Sequence, residues 1–211
     1  MDKFSTKLRY QGRLHRPDDA LVLAQEVEDI CHTNGWPCRI WDEDWTKPSS
    51  VQFQLDDGAL ETEGHAPLKG ITFTLHSLSE IVWLTFTPDG VLHSLMTLND
   101  PFWTSNVGGY PWSRVKTGFD GAVTHGAICR LFWYLKDKYF EVFDCQDELG
   151  YWQNRDQDQF ETMMEHLITD YTVMEEELNA ILSDETIDPP QKRAILHDLL
   201  RQFGQKYPRK A

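Results

Sequence analysis

Between Asp156 and Leu182 the apolar residues recur in alternating steps of four and three: Phe160, Met164, Leu167, Tyr171, Met174, Leu178, Ile181. This period of 3.5 predicts one long helix with an apolar seam and a far side of Glu and Asp. The stretch SDETIDPP ends it, and the prolines open a second helix. There Ile195, Leu196, Leu199, Leu200 and Phe203 share a face, and Gly204 supplies a stop. Residues 156–204 therefore predict an αα-hairpin, packed on the preceding domain or on a second copy through 160–181 as a homodimer.

The earlier pattern is mixed. LRYQGRLH at 8–15 alternates as a strand does, and Pro17-Asp18-Asp19 then opens a helix bearing Leu21, Leu23, Ala24, Val27, Ile30 and Cys31. Asn34-Gly35 ends that helix, and CRIW at 38–41 reads as a short buried strand. ITFTLH (71–76), IVWLTF (81–86) and VLHSLM (91–96) predict three strands, the last two joined by the TPDG turn. A helix follows from about 121 to 138, with Gly121, His125, Ile128, Phe132, Leu135 and Tyr139 on one stripe, so His125 is expected at its wet N-terminal margin. FEVF at 140–143 is a further short strand.

These elements predict an α+β fold: a mostly antiparallel sheet of four to six strands with helices packed on one face, plus a C-terminal helical hairpin. The boundary falls near 153, giving a sheet domain over 1–153 and the hairpin over 154–211. Residues 8–45 and 91–152 repeat the order helix, buried strand, acids, tryptophan, the pattern a weak internal duplication would leave.

Charge changes the picture more than composition does. The formal net charge is −14. From Asp144 to Asp188 there are 14 acids and one base, Arg155, whereas Gln191 to Ala211 carries six bases and one acid. This balance argues against nucleic-acid and anionic-membrane partners and allows a basic protein partner. No run of residues suits a membrane span or a signal peptide, and four cysteines without an export signal point to reduced thiols in the cytoplasm. Cys31 and Cys38 are separated by six residues, a poor zinc-knuckle spacing, so neither a metal nor a cofactor is predicted.

Candidate chemistry is sparse. No nucleophile elbow, phosphate loop, HExxH, EF-hand or dinucleotide fingerprint occurs. The sole catalytic constellation worth testing is His125 with Asp144, Asp147 and Glu148, since a short turn after the helix returns the following residues toward its N-terminus. A histidine there could act as a general acid or, with Asp147 and Glu148, ligate a divalent metal. Asp42, Glu43 and Asp44 join this group only if the two halves are related by symmetry. A histidine more than about 8 Å from every carboxylate would end that reading.

The aperiodic segment 98–119 offers Phe102, Trp103, Tyr110 and Trp112 with Arg114 and Lys116 as a binding surface, for a planar or anionic ligand or for a protein. The reading with most support is a non-enzymatic interaction module, working through its acidic helix or its aromatic loop. The alternative is a small-ligand or metal-dependent enzyme centred on His125.

Overall fold

The computed structural model describes residues 6–56, 59–76, 79–98, 109–117 and 122–206. Strand β1 (Thr6–Leu14) alternates buried and outward positions along its whole length, which places Leu8, Tyr10 and Leu14 in the core. Helix α1 (Asp19–Asn34) follows. It buries Ala20, Leu23, Ala24, Val27 and Cys31 and stops at Gly35, whose φ of 68° suits a residue without a Cβ. Strands β2 (Cys38–Asp42), β5 (Lys69–Phe73) and β6 (Val82–Phe86) form one antiparallel sheet in the order β2-β5-β6. Strands β3 (Gln52–Asp56) and β4 (Ala59–Glu63) pair separately as a hairpin.

The other sheet has the order β7-β1-β8, with β7 at Ser113–Thr117 and β8 at Phe140–Asp147. Both neighbours run antiparallel to β1 and so parallel to each other, with helix α3 (Ala122–Tyr139) crossing between them. The fold is α+β, as the patterning predicts, but with two three-stranded sheets rather than one of four to six strands. The cause lies at 91–96. Val91 bridges Arg13 and Leu92 bridges Phe86, which stitches β1 to β6 for two residues only. The chain then turns into helix α2 (Leu95–Leu98) because the backbone N–H of Ser94 is captured by the Thr97 hydroxyl at 3.0 Å. The expected third strand of the meander is therefore a bridge followed by a helix.

Helices α1 and α3 cover one side of the sheets, and one continuous core lies beneath them, with Tyr10, Phe86, Phe132 and Phe143 among its members. Tyr10 is held there by its hydroxyl, which donates to the Trp83 carbonyl at 3.1 Å and accepts from the Trp83 N–H at 2.9 Å. A second, small core of Val51, Ala66, Leu68, Leu95 and Leu98 sits against Trp41 and Trp83.

After the short helix α4 (Tyr151–Asn154), Asp156 caps α5 (Gln157–Ser183) by accepting from the Gln159 N–H at 2.9 Å. The predicted seam is real: Phe160, Met164, Leu167, Met174 and Leu178 are buried. Phe160 and Met164 belong to the main core, and α6 (Pro189–Lys206) packs along α5 to complete the hairpin. The chain's own elements thus cover these five seam positions, while Tyr171 and Ile181 stay half-buried.

Candidate functional site

Strand β8 decides which acid meets His125. Its buried positions are Phe140, Phe143, Cys145 and Asp147, while Asp144, Gln146 and Glu148 face outward. Asp147 therefore enters the core beside α3, and His125 Nε2 lies 3.2 Å from its Oδ2. Asp144 instead accepts from the Gln11 side chain at 3.2 Å, and Glu148 accepts from the Lys7 backbone N–H at 3.1 Å. The structure brings together His125 and Asp147 from the predicted constellation and leaves Asp144 and Glu148 on the surface. Asp42 ends β2 of the other sheet and Glu43 and Asp44 follow it; Asp42 pairs with Lys69 at 2.7 Å and Asp44 with Lys47 at 3.4 Å.

The expectation of a wet His125 needs correction. Both side chains of the pair are fully buried, because α4 and the first turn of α5 fold over them. The Phe160 ring centroid lies 5.0 Å from that of His125, and Tyr151 stacks on Phe160 at 4.3 Å. His125 Nδ1 faces the Thr117 hydroxyl at 2.8 Å, so both ring nitrogens have partners. The Asp147 oxygens also accept from the N–H groups of Leu149 at 2.8 Å and Trp152 at 2.9 Å. Burial alone would push this carboxyl up. His125 and the two backbone donors outweigh it and hold the carboxyl below the usual aspartate range.

This arrangement can orient a turn and fix a helix start. It keeps the His–carboxylate contact that acid–base chemistry requires, well inside 8 Å, but the paired atoms face no solvent. Cys129, one turn after His125, completes a fully buried His–Cys–Asp group whose ligand atoms lie within 4.8 Å of one another. For metal ligation it is Cys129, and not Glu148, that stands beside His125 and Asp147.

The second predicted surface is only partly visible. Phe102 and Trp103 lie outside the described residues. Tyr110 and Trp112 are half-buried, and Arg9 lies over the Trp112 ring at 5.7 Å. Arg114 is exposed on β7, whereas Lys116 donates its backbone N–H to Glu80 at 3.0 Å.

An open apolar concavity lies elsewhere, on the face of the β2-β5-β6 sheet turned away from α1. It is a trough of about 530 Å³, lined by Arg39, Trp41, Thr72, Ile81, Trp83 and Met96 among others. Trp41 and Trp83 meet across the middle strand with ring centroids 5.8 Å apart, and Trp41 Nε1 donates to the Thr72 hydroxyl at 3.1 Å. The Arg39 guanidinium lies over Trp41 at 4.3 Å. Gly70 opposes Trp41 in the pairing register, at a φ of 140° and with the Leu84 carbonyl only 2.1 Å from where a Cβ would stand. Only glycine fits there. Ile81 and Met96 are 46% and 61% exposed, so the trough opens to solvent.

Sequence reasoning passed over this trough because its residues come from three strands and a helix read as strand. A usable signal was present: Trp41, Trp83 and Arg39 are exposed-face positions of strands whose other face is apolar. No family model matches the chain, and no curated protein or solved structure shows significant similarity to it.

Proposed function

We propose that this protein is a non-catalytic interaction module that receives an extended segment of a basic partner protein along β2. The observation that carries this reading is the open trough beside a free strand. Strand β2 is the edge of its sheet, with β5 on one side and no described strand on the other. Such an edge offers backbone donors and acceptors to an incoming strand, and pockets for alternate side chains add specificity. The trough supplies Trp, Met and Arg, residue types that concentrate in interface cores. The net charge of −14 favours a cationic partner and speeds its approach.

The enzyme reading has less support. His125 and Asp147 have no exposed side-chain surface and spend their polar atoms on Thr117, Leu149, Trp152 and each other.

A photo-crosslinking amino acid placed at Ile81 or at Met96 tests the proposal in the source cell. Val123 on α3, which is 68% exposed, serves as the control position. Positions 81 and 96 are expected to yield the same intermolecular adduct, absent at 123 and weakened as salt rises. No adduct from either position, an equal adduct from 123, or crosslinks confined to the chain itself would sink the interaction reading.

A further inference from the structure

Helix α1 and strand β2 build a second group of metal-ligating atoms, at the surface. Glu28 and His32 are four residues apart on α1 and so share one helix face. Gly35 then ends the helix in the left-handed conformation. The Trp36 N–H donates to the Cys31 carbonyl at 2.9 Å, and the Trp36 ring stacks on Phe73 at 6.2 Å. This tight reversal starts β2 at Cys38, directly back beside the last turn of α1. One carboxylate oxygen of Glu28, one ring nitrogen of His32 and Cys38 Sγ consequently lie within 4.8 Å of one another. The Cys38 thiol also contacts the buried Cys31 thiol, whose pKa burial pushes up to about 12.

Two features separate this group from the one at His125. His32 is exposed and Glu28 and Cys38 are half-buried, so an ion has a route from solvent. Neither Glu28 nor His32 hydrogen-bonds or ion-pairs through its side chain with any described residue, unlike His125 and Asp147. As at His125, the donors are one oxygen, one nitrogen and one sulfur, a set that suits a borderline-soft divalent ion better than calcium or magnesium.

We propose that Glu28, His32 and Cys38 form a binding site for a zinc-class divalent cation, with water in the fourth position. Ligand atoms around tetrahedral zinc sit roughly 3.3–3.8 Å apart, given metal–ligand bonds of about 2.0–2.3 Å. A contraction of about 1 Å closes the present set, within reach of rotamer changes at Glu28 and the exposed His32. Binding converts the Cys38 thiol to thiolate, and its proton leaves to solvent. The spacing Glu-x3-His-x5-Cys works because the ligands straddle a helix end, which a knuckle pattern of two close pairs does not describe.

Reduced, chelator-treated full-length protein titrated with Co²⁺ tests the site. The expected result is one equivalent bound, with intense tetrahedral d–d bands and a near-ultraviolet thiolate-to-cobalt band. Cys38→Ser removes the near-ultraviolet band, and Cys129→Ser leaves the spectrum unchanged. His32→Ala, at an exposed position, and Glu28→Gln, an isosteric change at a half-buried one, each weaken binding by more than the roughly 10–100-fold that outer-shell losses cause. Absence of the thiolate band in the parent protein, its persistence in Cys38→Ser, or its loss in Cys129→Ser would overturn the assignment.

Discussion

Asp147 is the residue on which most depends locally. Its two oxygens serve His125 and the N–H groups of Leu149 and Trp152, so one side chain ties α3 and β8 to the start of α4. Asp147→Ala leaves the buried Nε2 of His125 and two part-buried N–H groups without their partner, and the expected loss is about 3–5 kcal/mol in a urea or thermal denaturation. Asp147→Asn costs less, about 1–3 kcal/mol, because the amide oxygen still accepts and His125 can present Nε2 as an acceptor to the amide nitrogen. Equal losses in the two variants would show that the carboxylate's charge, and not the hydrogen-bonding geometry that an amide preserves, sets the stability. The His125–carboxylate encounter was legible in the sequence, since a helical stripe followed by an immediate turn returns the next strand to His125. The choice among Asp144, Asp147 and Glu148 was not. It depends on β8 continuing four residues past Phe143, and the polar run Asp144-Cys145-Gln146-Asp147 disguises an alternating strand whose last inward position is a satisfied carboxylate.

Between elements, α1 and α3 are joined by a polar clasp on the edge of the core. Glu26 accepts from Lys138 Nζ at 2.7 and 2.8 Å and also from the hydroxyls of Tyr134 and Tyr139. Burial opposes ionisation of Glu26, but these donors together bring its pKa from 4.5 down to about 2. A depressed carboxylate pKa adds stability that is complete above the unfolded value and vanishes as pH falls through the folded one. The clasp is thus expected to hold at neutral pH and to fail between about 4.5 and 2. Glu26→Gln should lower stability at pH 7 by about 1–2 kcal/mol and flatten its pH dependence across that window. Unfolding free energies measured from pH 7 to pH 2 check this; an unchanged acid slope in the variant would assign the acid sensitivity to Asp147 or to other carboxylates. Most elements were legible from periodicity, α1, α3, α5 and α6 to within a residue or two. VLHSLM was not, because Val91, Leu92, Leu95 and Met96 give an apolar pattern that a strand and a helix share, and the Ser94–Thr97 capping contact decides between them.

Across the whole molecule, the arrangement of charge leaves an unbalanced field. The acids of 144–188 and the bases of 191–211 suggest two helices that neutralise one another, yet two of the described α6 bases are engaged otherwise. Arg201 pairs with Asp198 of its own helix at 3.1 Å, and Lys192 donates to the Leu182 carbonyl at 2.8 Å. Glu177 of α5 and Asp198 of α6 even line the same crevice. Among the described side chains the apolar seam is what joins the two helices, and if repulsion among the acids of α5 outweighs their attraction to α6, screening raises the hairpin's stability. Raising NaCl from low salt to about 0.5 M shortens the Debye length below the spacing of successive acids on the helix surface. Relief of order 1 kcal/mol corresponds to a rise in Tm of about 2–4 °C for a chain of this size. Calorimetric melts at the two salt concentrations measure it directly. If α6 already neutralised α5, salt would instead weaken their attraction and Tm would fall, so the sign of the shift reports whether the acidic face stands free for a cationic partner.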